Sequence, residues 1–259
     1  MKVGVMMDEA IRFIKLLNEN NSVTVFGETS KFHLERFSTL LEKSNPMQFE
    51  RPDIVIESSE FIYFFEYFEF DSSNNTKKGT EMRKEEAKVN REFDKHVQET
   101  LKKEPDKTVF HKTTYQSDRS VDCFIDNFIR NFTNHYDKIE EYKDHCQVEI
   151  LEKDYEFGFI IENTSILPDI ILKDNGDTHL LLPIHLSKIL NFLKNKNEVK
   201  NIFYITQNGG ASYSIFYFRN SIDFYNEIIK LGLSIHDNEK LIDWKANSIG
   251  FVVPIPKIQ

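Results

Sequence analysis

The sequence predicts an α/β fold, a mixed central sheet flanked by helices. Two observations carry that expectation. Short apolar runs of strand length recur in both halves of the chain, and amphipathic segments with helical spacing alternate with them. With 259 residues, 40% hydrophobic and 13% aromatic, the chain can bury a substantial core. Neither an internal repeat nor a Gly/Ser linker divides it, so we expect one α/β domain over residues 1–259, with a charged helical insertion at about 77–144.

Residues 8–18 space Ala10, Ile11, Phe13, Ile14 and Leu17 as one helical face, ending near Asn20-Asn21. Ser22–Phe26 reads as a strand. Ser30 has the chemistry of an N-cap for a second helix, with Phe32, Leu34, Phe37, Leu40 and Leu41 as its apolar side, stopping before Asn45-Pro46. Two strands follow, Asp53–Ile56 and Phe61–Phe70, joined by a turn around Glu57-Ser58-Ser59.

From Lys77 to Lys107 charges of both signs alternate and apolar content collapses, the pattern of a solvated helix. Over 119–144, Val121, Phe124, Ile125, Phe128, Phe132, Ile139 and Tyr142 form a helical stripe that needs a partner surface. Strands are then expected at Val148–Leu151, Phe157–Ile161, Asp169–Leu172 and Leu180–Pro183, with Asn175-Gly176 as a tight turn. A helix at Ser187–Lys194, strands at Ile202–Thr206 and Tyr213–Phe218 around Asn208-Gly209-Gly210, and a helix Ser221–Leu231 follow, with Gly250–Ile255 as an edge strand.

No apolar run reaches the roughly 20 residues that span a bilayer, and the first residues lack the basic and apolar order of a secretory signal, so a cytoplasmic protein without a membrane partner is expected. Cys123 and Cys146 are too few for a disulfide framework or a zinc cluster. A net charge of -9 excludes nonspecific coating of nucleic acid, though basic residues concentrated on one face would still allow a local contact.

The most informative stretch is Arg51–Lys78. It sets Glu66, Glu69 and Asp71 into a strand of Phe and Tyr that otherwise reads as core. A carboxylate on a buried strand costs several kcal/mol unless it is paired or holds a cation, so this pattern points to a divalent metal site. Alternation places Phe65, Tyr67, Glu69 and Asp71 on one face and Phe64, Glu66, Phe68 and Phe70 on the other. Asp53, opening the neighbouring strand, joins Glu69 or Asp71 if the two strands pair as a hairpin.

Pro52-Asp53 at one strand and an acid, Glu66 or Glu69, on the next resemble the PD-(D/E)xK nuclease superfamily over residues 30–78. That resemblance implies a restriction-endonuclease-like core and hydrolysis of phosphodiester bonds with Mg²⁺ or Mn²⁺. It implies nucleic acid as partner, DNA ahead of RNA, and a metal set of Asp53, Glu69, Asp71 and, from the preceding helix, Glu35, with Glu28 and Glu42 as alternatives. The chain departs from the pattern where the family carries lysine: Phe68 and Asp71 stand there, leaving Lys77 or Lys78 as substitutes. The run Phe68–Ser73 with Lys77-Lys78-Gly79 also resembles bacterial proteins associated with mobile elements or phage defence.

Two other readings compete. A degenerate, non-catalytic protein could use its aromatic strands and long helix as a partner or homodimer interface. Arg130-Asn131-Phe132-Thr133-Asn134-His135 resembles the Arg and His spacing of metal-independent HEPN ribonucleases, although His135 falls on the apolar stripe and Arg130 off it. Ile166–Ile171 repeats the Pro-Asp strand pattern and reads as a turn into a core strand, because the following Leu180–Leu182 carries no acid or lysine.

Overall fold

The computed structural model describes residues 17, 23–43, 47–48, 52–57, 59, 61–72, 84, 88, 91–92, 95–96, 98–100, 102–103, 109–116, 120–146, 153–165, 169–172, 178–207, 213–230, 240–241 and 245–253. In chain order the strands are β1 (Val23–Phe26), β2 (Met47–Gln48), β3 (Ile54–Glu57), β4 (Phe61–Phe70), β5 (Val109–Gln116), β6 (Asp154–Asn163), β7 (Ile170–Leu172), β8 (Thr178–Leu180), β9 (Val199–Gln207), β10 (Tyr213–Arg219), β11 (Lys240–Leu241) and β12 (Lys245–Val253). The helices are α1 (Glu28–Lys43), α2 (Val121–Tyr136), α3 (Ile139–His145), α4 (Ser187–Leu193) and α5 (Ile222–Lys230).

Among the described residues the core is a seven-stranded mixed sheet in the order β1-β10-β9-β6-β4-β3-β2. The central strands β4, β6 and β9 are parallel, while β3 and β10 turn back antiparallel. Parallel strands need coverage on both faces, and β4 is buried along its length except at Glu69. One face carries Phe64, Phe68, Phe70, Phe159 and Ile161 under α2 to α5; the other carries Tyr63, Phe65, Tyr67, Ile160 and Phe203 under α1. The fold is therefore α/β with a mixed sheet flanked by helices, and the alternation along β4 falls as its sequence implies.

Local chemistry sets the helix ends. Ser120 caps α2 by accepting from the Cys123 amide at 3.1 Å, and Asp122 favours its first turn. Gly27, at φ 89°, turns the chain from β1 into α1, where the Glu28 amide donates to the Glu227 carboxylate of α5. A Cβ at Gly27 would lie 2.6 Å from Glu227 Oε2.

Several expectations change. Ser30 is not the N-cap: α1 begins at Glu28, and the fully buried Ser30 hydroxyl accepts from the Arg219 amide at 2.9 Å. The stripe over 119–144 splits into α2 and α3 at Asp137-Lys138 and packs into the main core. Within the stretch read as a helical insertion, β5 forms and pairs antiparallel with β12. The helix expected at 8–18, apart from Leu17, the strand at 148–151 and the turns at 175–176 and 208–210 lie outside the described residues. No helix among the described residues is long and apolar enough to cross a membrane.

Candidate functional site

Three carboxylates bond Tyr67, Asp53 at its main-chain amide and Glu69 and Glu162 at its hydroxyl. The β3–β4 ladder ends at Ile54 and Phe65; one step further, Asp53 Oδ2 accepts from the Tyr67 amide at 2.8 Å and extends the pairing with a side chain. The parallel register of β4 and β6 sets Glu69 directly beside Glu162. The Tyr67 hydroxyl lies 2.6 Å from Glu162 Oε2 and 3.1 Å from Glu69 Oε1. A hydroxyl has one proton to give, so the buried Glu162 holds the stronger bond while Glu69 stays exposed.

Asp71, just past β4, is held by its backbone. Its carbonyl accepts from Asn127 Nδ2 at 2.8 Å, and Asn127 Oδ1 accepts from Arg130 Nη2 at 2.8 Å. Asn127 is buried and its own carbonyl accepts from Asn131 Nδ2, so one amide side chain locks α2 to the end of β4.

The opposite face carries a separate cluster. Glu66 Oε1 meets His135 Nδ1 at 2.9 Å and accepts from the Tyr142 hydroxyl at 2.8 Å, while its Oε2 is buried without a hydrogen-bond partner. His135 stacks on Phe68 at 4.5 Å. Glu66 is thus divided from Glu69 by the sheet. His135 turns inward to Glu66 and Arg130 turns to Asn127, so the spacing that resembles HEPN ribonucleases does not bring the two side chains together.

At the far end of the sheet Arg219 forks onto Glu156, with Nη1–Oε2 at 2.8 Å and Nη2–Oε1 at 2.5 Å, and Asn201 Nδ2 donates to the same carboxylate. Burial pushes the Glu156 carboxyl up, but the bonds from Arg219 and Asn201 outweigh it and hold the group below its ordinary value. Burial, with Arg219 nearby, lowers His33 on α1.

The second Pro-Asp leads to a closed knot. Buried Asp169 accepts from Ser72 Oγ at 2.7 Å and from Asn163 Nδ2 at 2.8 Å, tying the exits of β4 and β6 to β7. Asn163 Nδ2 also donates to the Tyr204 hydroxyl, which burial holds well above its ordinary value.

Of the residues singled out from sequence, Asp53 bonds the main-chain amide of Tyr67 and Glu69 its hydroxyl, at opposite ends of that residue, and Asp71 follows two residues beyond Glu69. Glu35 lies exposed on α1, where its backbone carbonyl accepts from Thr39, and no described bond carries it to the cluster. Lys77 and Lys78 lie outside the described residues. In the charged stretch, the exposed pairs Lys88–Glu92 at 3.8 Å and Lys95–Glu99 at 3.9 Å are those of a solvated helix. Sequence reasoning passed over Tyr67 and Glu162. Glu162 could have been found only as an acid near the end of an apolar strand, the same signal that marked Glu69.

Among the described residues, no three His, Cys, Asp or Glu side chains are grouped closely enough to hold a metal ion. The donor chemistry of Glu69 and Glu162 nevertheless suits a hard cation, since Mg²⁺ takes one or two carboxylates and completes its shell with water and phosphate oxygens. Comparison with known proteins supplies no family for the chain: no family model, no curated protein and no solved structure matches it.

Proposed function

We propose that this chain is a divalent-metal-dependent phosphodiesterase acting on nucleic acid, DNA ahead of RNA, in the cytoplasm. The observation that carries the reading is the pairing of Glu69 and Glu162 at the Tyr67 hydroxyl, at the carboxyl ends of β4 and β6. Carboxyl ends of parallel strands are where α/β sheets place ligands. Two carboxylates at one hydroxyl repel each other, and a divalent cation would relieve that repulsion.

In this reading Glu69 and Glu162 would hold Mg²⁺ or Mn²⁺, which would supply an activated water and stabilise charge on the phosphate. Tyr67 keeps both carboxylates oriented through its hydroxyl, and Asp53 fixes the strand edge that carries Tyr67. The order of elements supports the resemblance to PD-(D/E)xK nucleases. A helix precedes a strand opened by Pro-Asp, and the acids lie on the antiparallel strand that follows.

A second reading has a specific observation in its favour. Asp53 and Glu162 already accept hydrogen bonds from Tyr67, which suits a non-catalytic protein in which these acids only tie β3, β4 and β6 together.

The test is cleavage of DNA and RNA substrates with Mg²⁺ or Mn²⁺, comparing the wild type with Asp53→Ala, Glu69→Ala and Glu162→Gln purified identically. The nuclease reading expects wild-type cleavage that falls strongly in Glu69→Ala and Glu162→Gln. Equal cleavage in all four proteins, or none in any, overturns it.

A further inference from the structure

We infer that the outward face of α5 joins two copies of this chain, helix against antiparallel helix, about a twofold axis through Asn226. Neither metal nor nucleic acid is needed for this contact. α5 is anchored on its inner side by Phe224, Tyr225 and Ile228, all buried in the main core, and the Ser221 hydroxyl accepts from the Phe224 amide at 3.2 Å. Its outer side departs from the wholly polar surface that an amphipathic helix turns to water. Ile222 is 77% exposed and Ile229 61%, two of the four exposed large hydrophobic side chains among the described residues, and both stand on this one helix.

Helical spacing lines Ile222 and Ile229 along one flank of the exposed Asn226, and Asp223 and Lys230 along its other flank. Neither Asp223 nor Lys230 has an ion-pair partner among the described residues. A twofold axis through Asn226, perpendicular to the helix, reverses the order of residues and keeps each flank on its own side. It therefore sets Ile222 of one copy against Ile229 of the other, and Asp223 against Lys230, each contact occurring twice. The two Asn226 amides meet on the axis, where each can donate to and accept from the other, and a polar residue at such a centre fixes register. A parallel pair would instead lay the isoleucine flank of one copy on the charged flank of the other, so the pattern of charge and apolar surface selects the antiparallel one. Two nine-residue helices bury well under the roughly 1,200 Å² of a standard interface, which makes this a weak, concentration-dependent dimer.

The experiment is sedimentation equilibrium of the full chain at low salt from about 1 µM to about 1 mM, the range in which so small an interface equilibrates. Wild type, Ile229→Asp, Asp223→Lys, Lys230→Asp and an equimolar mixture of the last two are compared, each protein checked by thermal melting for an intact fold. The wild-type mass is expected to rise with concentration toward twice that of the monomer, while Ile229→Asp stays monomeric. Each charge reversal alone brings like charges together at both flank contacts and weakens association about tenfold or more. Mixing the two reversals restores it, because every charge on one copy then faces its opposite on the other, and high salt removes that restoration. A wild type that stays monomeric throughout overturns the inference and leaves the face to a segment of a different protein. A dimer indifferent to Ile229→Asp, reversals that associate as the wild type does, or reversals that fail to recover on mixing overturn it as well, since each places the contact elsewhere or in another orientation.

Discussion

Glu69 and Glu162 stand side by side in the parallel ladder of β4 and β6, and both reach the hydroxyl of Tyr67. Replacing Tyr67 with Phe leaves the two carboxylates facing each other without that donor. Stability at neutral pH is expected to fall by about 1–3 kcal/mol in urea unfolding. Adding Glu162→Gln to Tyr67→Phe recovers part of the loss, because it removes one of the two charges. A Tyr67→Phe protein as stable as the wild type would mean that the hydroxyl does not hold the pair.

Gly158 lies in β6 where a Cβ would come within 2.3 Å of Phe65 Cε1 and 2.9 Å of the Asn201 carbonyl oxygen. Phe65 has little room to yield, since its ring packs against Phe37, Tyr63 and Phe203. Gly158→Ala is expected to cost about 3 kcal/mol, and Phe65→Leu in the same chain to restore some of it. The double variant proving no more stable than Gly158→Ala would place the clash elsewhere.

On the α2 face, the bond from His135 to Glu66 joins a helix to the central strand. A double-mutant cycle of Glu66→Gln and His135→Ala is expected to show a coupling of about 1–3 kcal/mol, whereas Tyr142→Phe costs about 1 kcal/mol. Additive single effects would show that the contact contributes nothing to folding.

The Glu156–Arg219 pair gives the fold an acid limit. Its carboxyl is held below the ordinary 4.5, so the contribution is complete above about pH 4.5 and is lost as pH falls through the lowered folded value. The stability gap between wild type and Glu156→Gln is therefore expected to be wide at neutral pH and to narrow below pH 4.5. His33, lowered from 6.5, acts in the same direction at higher pH: protonating it in the unfolded chain favours unfolding, so His33→Gln flattens the loss that begins below pH 6.5. Melting curves across pH measure both, and a gap that widens on acidification contradicts the assignment for Glu156.

Local periodicity made much of this molecule legible. The faces of β4 and the inward turn of His135 follow from alternation and helical spacing, which act over a few residues. What it could not give depends on register between distant segments. Glu162 is significant only because β6 pairs with β4 so that position 162 meets 69. Ser30 has the chemistry of a cap, yet its hydroxyl is taken by Arg219, far along the chain. The pairing of β5 with β12 likewise has no local signal, and the charges around it read as helix. The second Pro-Asp differs from the first by its partners: Asp169 is enclosed by Ser72 and Asn163, while Asp53 sits at a strand edge.

The pairing of β1 with β10 has a consequence for biosynthesis. Val23–Phe26 finds its strand partner only at Ile215–Phe218, and the α1 residue Phe37 packs on Phe203. While the ribosome is still extending the chain, Phe37, Tyr63 and Phe65 form an aromatic surface that lacks its lid until β9 and β10 have emerged. The nascent chain therefore carries this apolar surface uncovered until residues 199–219 have been made, the interval in which aggregation competes with folding.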